Sequence, residues 1–247
     1  MTALPTRKLE AYRYADIDAL VSVWTSLKPP ERIEIAAQQK LQQVWLPNGD
    51  EIEVRRAEIM LEAGAELSLF ALNNAREYGR IEVNVTLREG ASFTLNAANI
   101  GDGTATLEII TTVHHEEPSA VSRRTVRSVL GGRATGSYVG KVAVARDAQQ
   151  TDSEQSVKAM LLDSGATANC KPELEIFADD VKCAHGASVG ELDPAQLFYA
   201  ESRGLDPAAA RALLLEGFIA GLWDGVADEV ERADISAAAR AALRAIV

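Results

Sequence analysis

Cys183 and His185 are the residues whose types and spacing could do chemistry together. They lie in the run Val181-Lys182-Cys183-Ala184-His185, which alternates as a strand does, so Val181, Cys183 and His185 project from one face. A thiol and an imidazole so spaced sit side by side, with Cβ atoms roughly 6–7 Å apart. Both are soft or borderline ligands for iron, zinc or copper, but two ligands do not make a tight site. Asp179, Asp180, Glu173 and Glu175 are close in sequence, in directions that spacing does not fix. Two other readings fit the same pair. Cys183 can be a small buried hydrophobe beside a satisfied core or edge histidine. The pair can also be a Cys–His nucleophile, for which no oxyanion loop or third orienting residue is recognisable.

The surrounding run KPELEIFADDVKCAHGASVGELDPAQLFYAESRGL resembles the C-terminal signature of the SufB/SufD family, part of the Suf iron–sulfur cluster assembly system. KPELEI and ADDVKCAHG stand closest to the SufD branch. The resemblance extends upstream through VHHEEPSAVSRRTVRSVLGGRATGSYVGKVAVARDAQQTDSEQSVKAMLLDSGA, so it covers most of the chain from about His114 to Trp223. EAYRYADIDAL looks like the short opening segment of SufD proteins. The resemblance implies a right-handed parallel β-helix flanked by helical segments, and a non-catalytic scaffold subunit that helps to build a nascent cluster or deliver iron. It implies pairing with the SufB paralogue through strand surfaces of both β-helices, and engagement of the SufC ATPase by the C-terminal helices. A transient iron–sulfur cluster or its iron is then expected at the interface with SufB. His185 matches the family's interfacial histidine and Cys183 stands beside it, so half a site in each subunit accounts for the shortage of ligands. Gln196, Phe198, Glu201 and Arg203 are the residues expected to touch the ATPase. A strand surface that pairs with a paralogue can pair with itself, so a homodimer is expected when the partner is absent. The chain departs from the family pattern at Cys170, where Thr is common, and at Gly221, where Glu is frequent. It also reads as short for a SufD, with most of the N-terminal helical region of longer members missing.

The elements that must position the pair follow from period and punctuation. Residues 1–30 read as an amphipathic lead, in which Asp16 or Asp18 caps a short helix through Ala19-Leu20-Val21 and Lys28-Pro29-Pro30 ends it. Residues 31–192 have a period of two: Arg32 to Ile35, Leu41 to Leu46, Glu51 to Val54, Glu66 to Phe70, Ile81 to Leu87, Ser92 to Leu95, Thr104 to Thr112 and Thr167 to Cys170. Arg55 to Glu62 is ambiguous between strand and helix. A Gly-Ala turn recurs before short strands at Gly64, Gly90, Gly165 and Gly186, at irregular spacing. Short strands without intervening helices fit a sandwich, a barrel or a β-solenoid; small residues at the turns favour the solenoid, and the family resemblance selects it. Residues 193–247 read as helices. Asp193-Pro194 and Asp206-Pro207 each supply an N-cap and first-turn proline, and a third helix is predicted from Ile235 to Ile246. Leu213, Leu214, Phe218 and Leu222 form an apolar stripe expected to hold this end together, by default as a cap on the solenoid's end.

Composition narrows the function classes. A net charge of −11 argues against nucleic acid and against anionic membranes, both of which need a basic face. No apolar run reaches the roughly 18 residues of a membrane helix, and the start of the chain lacks the apolar core of a signal peptide. Two cysteines, Cys170 and Cys183, are expected to be reduced in a cytoplasmic setting, although a pairing between them stays open. Gly101-Asp102-Gly103 and Gly131-Gly132 lack the Gly-Lys-Ser/Thr that follows in a phosphate loop, so no nucleotide site is expected. His114 and His115 are adjacent, point to opposite faces and cannot easily share an ion; they read as a solvated loop end. Arg123, Arg124, Arg127 and Arg133 read as a solvated strand face paired with acids across coils. Two further functions stay open beside the scaffold: a carbohydrate-active enzyme using carboxylates such as Asp179 and Asp180, and a metal-free β-helical interaction protein.

Overall fold

The computed structural model describes residues 4–246. Twelve strands form two six-stranded sheets, and every strand pairing is parallel. Sheet A holds β1 (Glu31–Ile35), β3 (Ile52–Leu61), β5 (Tyr78–Leu87), β7 (Thr106–His115), β9 (Thr135–Val144) and β11 (Thr167–Ile176). Sheet B holds β2 (Lys40–Trp45), β4 (Glu66–Asn73), β6 (Ser92–Gly101), β8 (Val121–Leu130), β10 (Asp152–Leu161) and β12 (Lys182–Glu191). Consecutive strands fall in opposite sheets, so each odd–even pair is one coil of a parallel β-solenoid of about six coils, not a sandwich of antiparallel sheets. The ambiguous stretch from Arg55 to Glu62 lies mostly in β3.

A turn repeats at one corner of the first five coils. Gln38, Gly64, Gly90, Ser119 and Gln150 all take positive φ, between 60 and 67°. Their N–H groups donate to Ala63, Glu89, Pro118, Gln149 and Asp180 of the next coil, at 2.6 to 3.0 Å. The following Ala65, Ala91 and Ala120 are fully buried. The coil lengthens from 26 residues, between Asn73 and Asn99, to 32, between Ser137 and Asn169. Gly165-Ala166 belongs to the other corner, before a sheet A strand. Gly186-Ala187 is no turn: both residues lie inside β12, opposite Ser156 and Val157. The chain turns at Asp179-Asp180, where the Asp180 N–H donates to Gln149 Oε1 and the Asp180 carbonyl accepts from Gln150.

Aligned columns of side chains fill the lumen. In sheet A, Ile59, Val85, Val113 and Val142 stack on one another, all buried. In sheet B two columns change character along the axis. Leu67 and Phe93 continue as Ser122, Ser153 and Cys183; Leu69 and Leu95 continue as Arg124, Gln155 and His185. These two columns turn from apolar to polar along the axis, while Ala71, Ala97, Val126 and Val157 keep a third one apolar.

Both outer faces are partly covered. Helix α1 (Ile17–Trp24), capped by Asp16 accepting from Ala19 N–H at 3.1 Å, lays Ala19 and Leu20 against Tyr78 of sheet A. Helices α2 (Pro194–Ser202), α3 (Pro207–Ile219) and α4 (Glu229–Ala245) follow the last strand. The expected end cap is not what they form. Leu215, Ile219, Leu222, Trp223, Ile235, Ala239 and Leu243 pack on Phe70, Leu72, Ala98, Ile100 and Val129, the outer face of sheet B. Those strands are apolar on both faces, so the helices bury a second surface that the solenoid cannot bury itself. The buried stripe is therefore Leu215, Ile219 and Leu222, while Leu213 is exposed and Leu214 and Phe218 are half-buried. Helix α4 starts six residues before Ile235 because Asp228 caps it, accepting from Val230 and Glu231.

Candidate functional site at the open coil

β11 and β12 end their sheets, so each presents a row of backbone N–H and C=O groups with no strand beyond it. Side chains from Ala184 to Glu191 are exposed, while Lys171 of β11 bonds Glu10 of the N-terminal segment. Pro172 fits here because an edge strand tolerates a residue without an N–H.

Cys183 and His185 both sit on β12, in register with Ser153 and Gln155. Those two neighbours are 1% exposed, so Cys183 and His185 continue the lumen face at its open end. Cys183 is half-buried and packs with Val142, Val144, Ala148 and Ala178, while His185 is exposed. Burial pushes the Cys183 thiol above its usual range; a hydrogen bond with the Ser153 backbone and the Arg124 charge pull the other way. Cys170 occupies the lumen face of β11, opposite Tyr138, and burial raises its pKa as well. Both thiols are free. A neutral imidazole ligates a metal near pH 7 without losing a proton, whereas each thiol must ionise first.

The nearby carboxylates do not join the pair. Glu173 and Glu175 face outward and pair with Lys171 and Lys141. Asp179 and Asp180 stay at the exposed corner. Among the described residues, no group of three or more His, Cys, Asp or Glu side chains is placed to hold a metal ion. Cys183 and His185 remain a pair, open on the side where the solenoid ends.

Two expectations change below the rim. His115 is no solvated loop end: it closes β7, its side chain is fully buried, and only His114 faces out. Arg124 is no part of a solvated face: it is 1% exposed in the lumen, while Arg123 lies outside and pairs with Asp152 across coils at 2.6 Å. His115 Nε2 and Ser122 Oγ are hydrogen-bonded at 2.9 Å, as are Ser122 Oγ and Ser153 Oγ. Arg124 Nη2 donates to Ser153 Oγ at 2.9 Å. Thr111 and Tyr138 are bonded at 3.1 Å, and Tyr138 donates to Gln155 Oε1 at 2.8 Å. Burial, with Arg124 nearby, lowers the His115 pKa to about 4. Strand alternation could have placed these residues, since it puts one member of His114-His115 and one of Arg123-Arg124 inside.

The second surface is α2. Gln196, Phe198, Glu201 and Arg203 are all exposed, Phe198 by 73%. Arg203 lies over the Tyr199 ring, 5.0 Å from its centre. Tyr199 and Leu205, not singled out from the sequence, line an apolar hollow of about 500 Å³ with Ala195, Ala200 and the stripe residues Leu213 and Leu214.

The last coil thus carries a thiol and an imidazole on strands that end their sheets. The family model for the SUF system FeS cluster assembly SufBD core domain matches residues 33–218, and the chain belongs to the SufB/SufD family. It is 35% identical over 161 residues to the chloroplastic protein ABCI7 of Arabidopsis thaliana, covering 64% of this chain and 34% of that one. It is 30% identical over 180 residues to an iron–sulfur cluster assembly SufBD family protein of Synechocystis, covering 72% and 40%. It is 34% identical over 119 residues to the iron–sulfur cluster assembly protein SufD of Escherichia coli, covering 48% and 28%. The chain thus spans less than half the length of these relatives.

Proposed function

We propose that this chain is a non-catalytic scaffold subunit in iron–sulfur cluster assembly. Through its open coil it pairs with a SufB-type paralogue, and through α2 it engages a SufC-type ATPase. His185 and Cys183 contribute half of a transient site for iron or a nascent cluster, which is cargo and not a resident cofactor. The observation that carries this reading is the uncapped last coil, where unpaired edge strands and two adjacent candidate ligands meet at one rim. Edge strands left open pair with other strands, and a two-ligand half site needs a second surface to become a full one. Without its partner, the chain uses the same edge to form a homodimer. In support, the relatives named SufD or SufBD are themselves described as iron–sulfur cluster assembly proteins.

Strand disruption at the rim tests the pairing. Val189→Pro removes a donor from the open side of β12, because Lys182 N–H donates inward to Thr151 and alternate residues point the other way, and it restricts φ. Size-exclusion chromatography of the chain mixed with a SufB-family protein and a SufC-type ATPase should give a ternary complex. The Val189→Pro variant should lose the paralogue while keeping its own circular dichroism. A complex of unchanged size and affinity would sink the edge-pairing reading.

A further inference from the structure

The late lumen holds a guanidinium with no counter-ion. Arg124 directs three N–H bonds at neutral oxygens: the Lys141 carbonyl at 3.4 Å, Ser122 Oγ at 3.4 Å and Ser153 Oγ at 2.9 Å. Its Nε is buried and donates to nothing. Among the described residues it forms no ion pair. By contrast Arg80, equally buried, has Glu82 and Glu108 at 2.9 and 3.0 Å. The side chains around Arg124 are neutral: Ser122, Ser153, Tyr138, Gln155, a His115 that burial keeps unprotonated, and the Cys183 thiol, whose pKa burial raises. Hydroxyls and one carbonyl return less than a charge loses on leaving water.

A second orphan lies in the same cluster. His115 Nδ1 is buried without a partner, and its Nε2 is tied through Ser122 Oγ to Ser153 Oγ. Their mutual bond uses one hydroxyl hydrogen, so one of the two hydroxyls is left to donate to a ligand. We infer that Arg124, Ser122 and Ser153 form a binding site for a small monoanion, a halide or hydrosulfide, in the lumen below Cys183. The ligand is small because the donors are few: the free Nε–H and one hydroxyl suit a spherical acceptor, whereas phosphate or carboxylate needs more bonds than these. The columns that carry these residues end at the open rim, with Ser122 and Ser153 leading to Cys183 and Arg124 and Gln155 leading to His185. The rim is therefore the route of entry. The site stands apart from the metal reading, since neither Cys183 nor His185 is among its donors.

Crystals of the intact chain soaked in sodium bromide and measured at the bromine edge test it. The parent should show an anomalous peak within hydrogen-bonding reach of Arg124 Nε. Arg124→Met should abolish that peak, and its own map shows whether the solenoid is intact. Ser153→Ala keeps the charge and removes one hydroxyl, so it should lower the peak at least about twofold; it serves alone if Arg124→Met fails to fold. A parent map without a peak at Arg124, or equal peaks in parent and variants, would overturn the inference. Hydrosulfide added to the soak separates the two sources: displaced bromide assigns the site to hydrosulfide, retained bromide to a halide. His185→Ala should leave the peak in place, so failure of the cluster reading and failure of this one are distinguishable.

Discussion

Protonation of His115 should set the acid limit of this fold. Its side chain is fully buried against Ser122, and its pKa falls to about 4 because burial disfavours the imidazolium and Arg124 repels it. The unfolded chain binds the proton near pH 6.5, so the native state takes it up later than the unfolded state does. The sign follows: the stabilisation is complete above pH 6.5 and is lost as pH falls towards 4. Between pH 7.5 and 5.0 a shift from 6.5 to about 4 removes roughly 2 kcal/mol, and below pH 4 the full loss approaches roughly 3 kcal/mol. His115→Gln keeps a polar group next to Ser122 but cannot titrate. Urea unfolding of both proteins at pH 7.5 and 5.0 isolates the effect, because carboxylates titrate alike in the two. The parent should lose about 2 kcal/mol more than the variant over that range. Parallel losses would refute the argument that His115 is buried neutral, whatever the variant's absolute stability.

Three further outcomes are expected. Arg80→Met leaves Glu108 buried beside Tyr78 without its cation, so chemical denaturation should register a loss of about 3–5 kcal/mol. Burial already raises the Glu108 pKa, and the loss should shrink as pH falls towards 4.5, because a protonated Glu108 no longer needs the guanidinium. Leu215→Ala, at a fully buried position between α3 and sheet B, should cost about 2–5 kcal/mol in urea melts; a cost below 1 kcal/mol would mean that the helices do not depend on that face. Phe198→Ala, or charge reversal at Glu201 and Arg203, should weaken co-purification with a SufC-type ATPase at least tenfold without moving the thermal midpoint, since all three side chains are exposed. An unchanged pull-down would remove α2 from the ATPase surface.

The strands were legible because alternation survives even where the coil length drifts. The repeat itself was obscured for a physical reason. The left-handed corner needs one residue with positive φ in each of the first five coils, and glycine supplies it only at Gly64 and Gly90; Gln38, Ser119 and Gln150 supply it elsewhere. Gly165 marks the opposite corner and Gly186 marks none, so the Gly-Ala pairs do not form one series. The place of the C-terminal helices was readable in one stretch only. Leu69-Phe70-Ala71-Leu72 is continuously apolar and fully buried, the mark of a strand covered on both faces. For the site, alternation put Cys183 and His185 on one face, but whether that face was lumen or surface needed their partners in register, Ser153 and Gln155. A run of arginines suggests solvent, while the pleat sends alternate members, here Arg124, inward. The hollow beside Tyr199 depends on Leu205 and Leu213, which lie outside α2 and meet it only in the fold.

The iron and acid-labile sulfide content of anaerobically assembled complexes tests the central claim most directly. The chain would be purified with a SufB-family partner and a SufC-type ATPase as parent, His185→Ala and Cys183→Ser, and visible absorption followed during reconstitution. His185→Ala should lower cluster content more than Cys183→Ser does. The imidazole is exposed at the rim and ligates without ionising, whereas burial holds the thiol protonated. All three chains should keep the same circular dichroism and the same complex size. A His185→Ala complex that assembles clusters to the parent's level and at the parent's rate would contradict the ligand role and leave His185 an ordinary edge histidine.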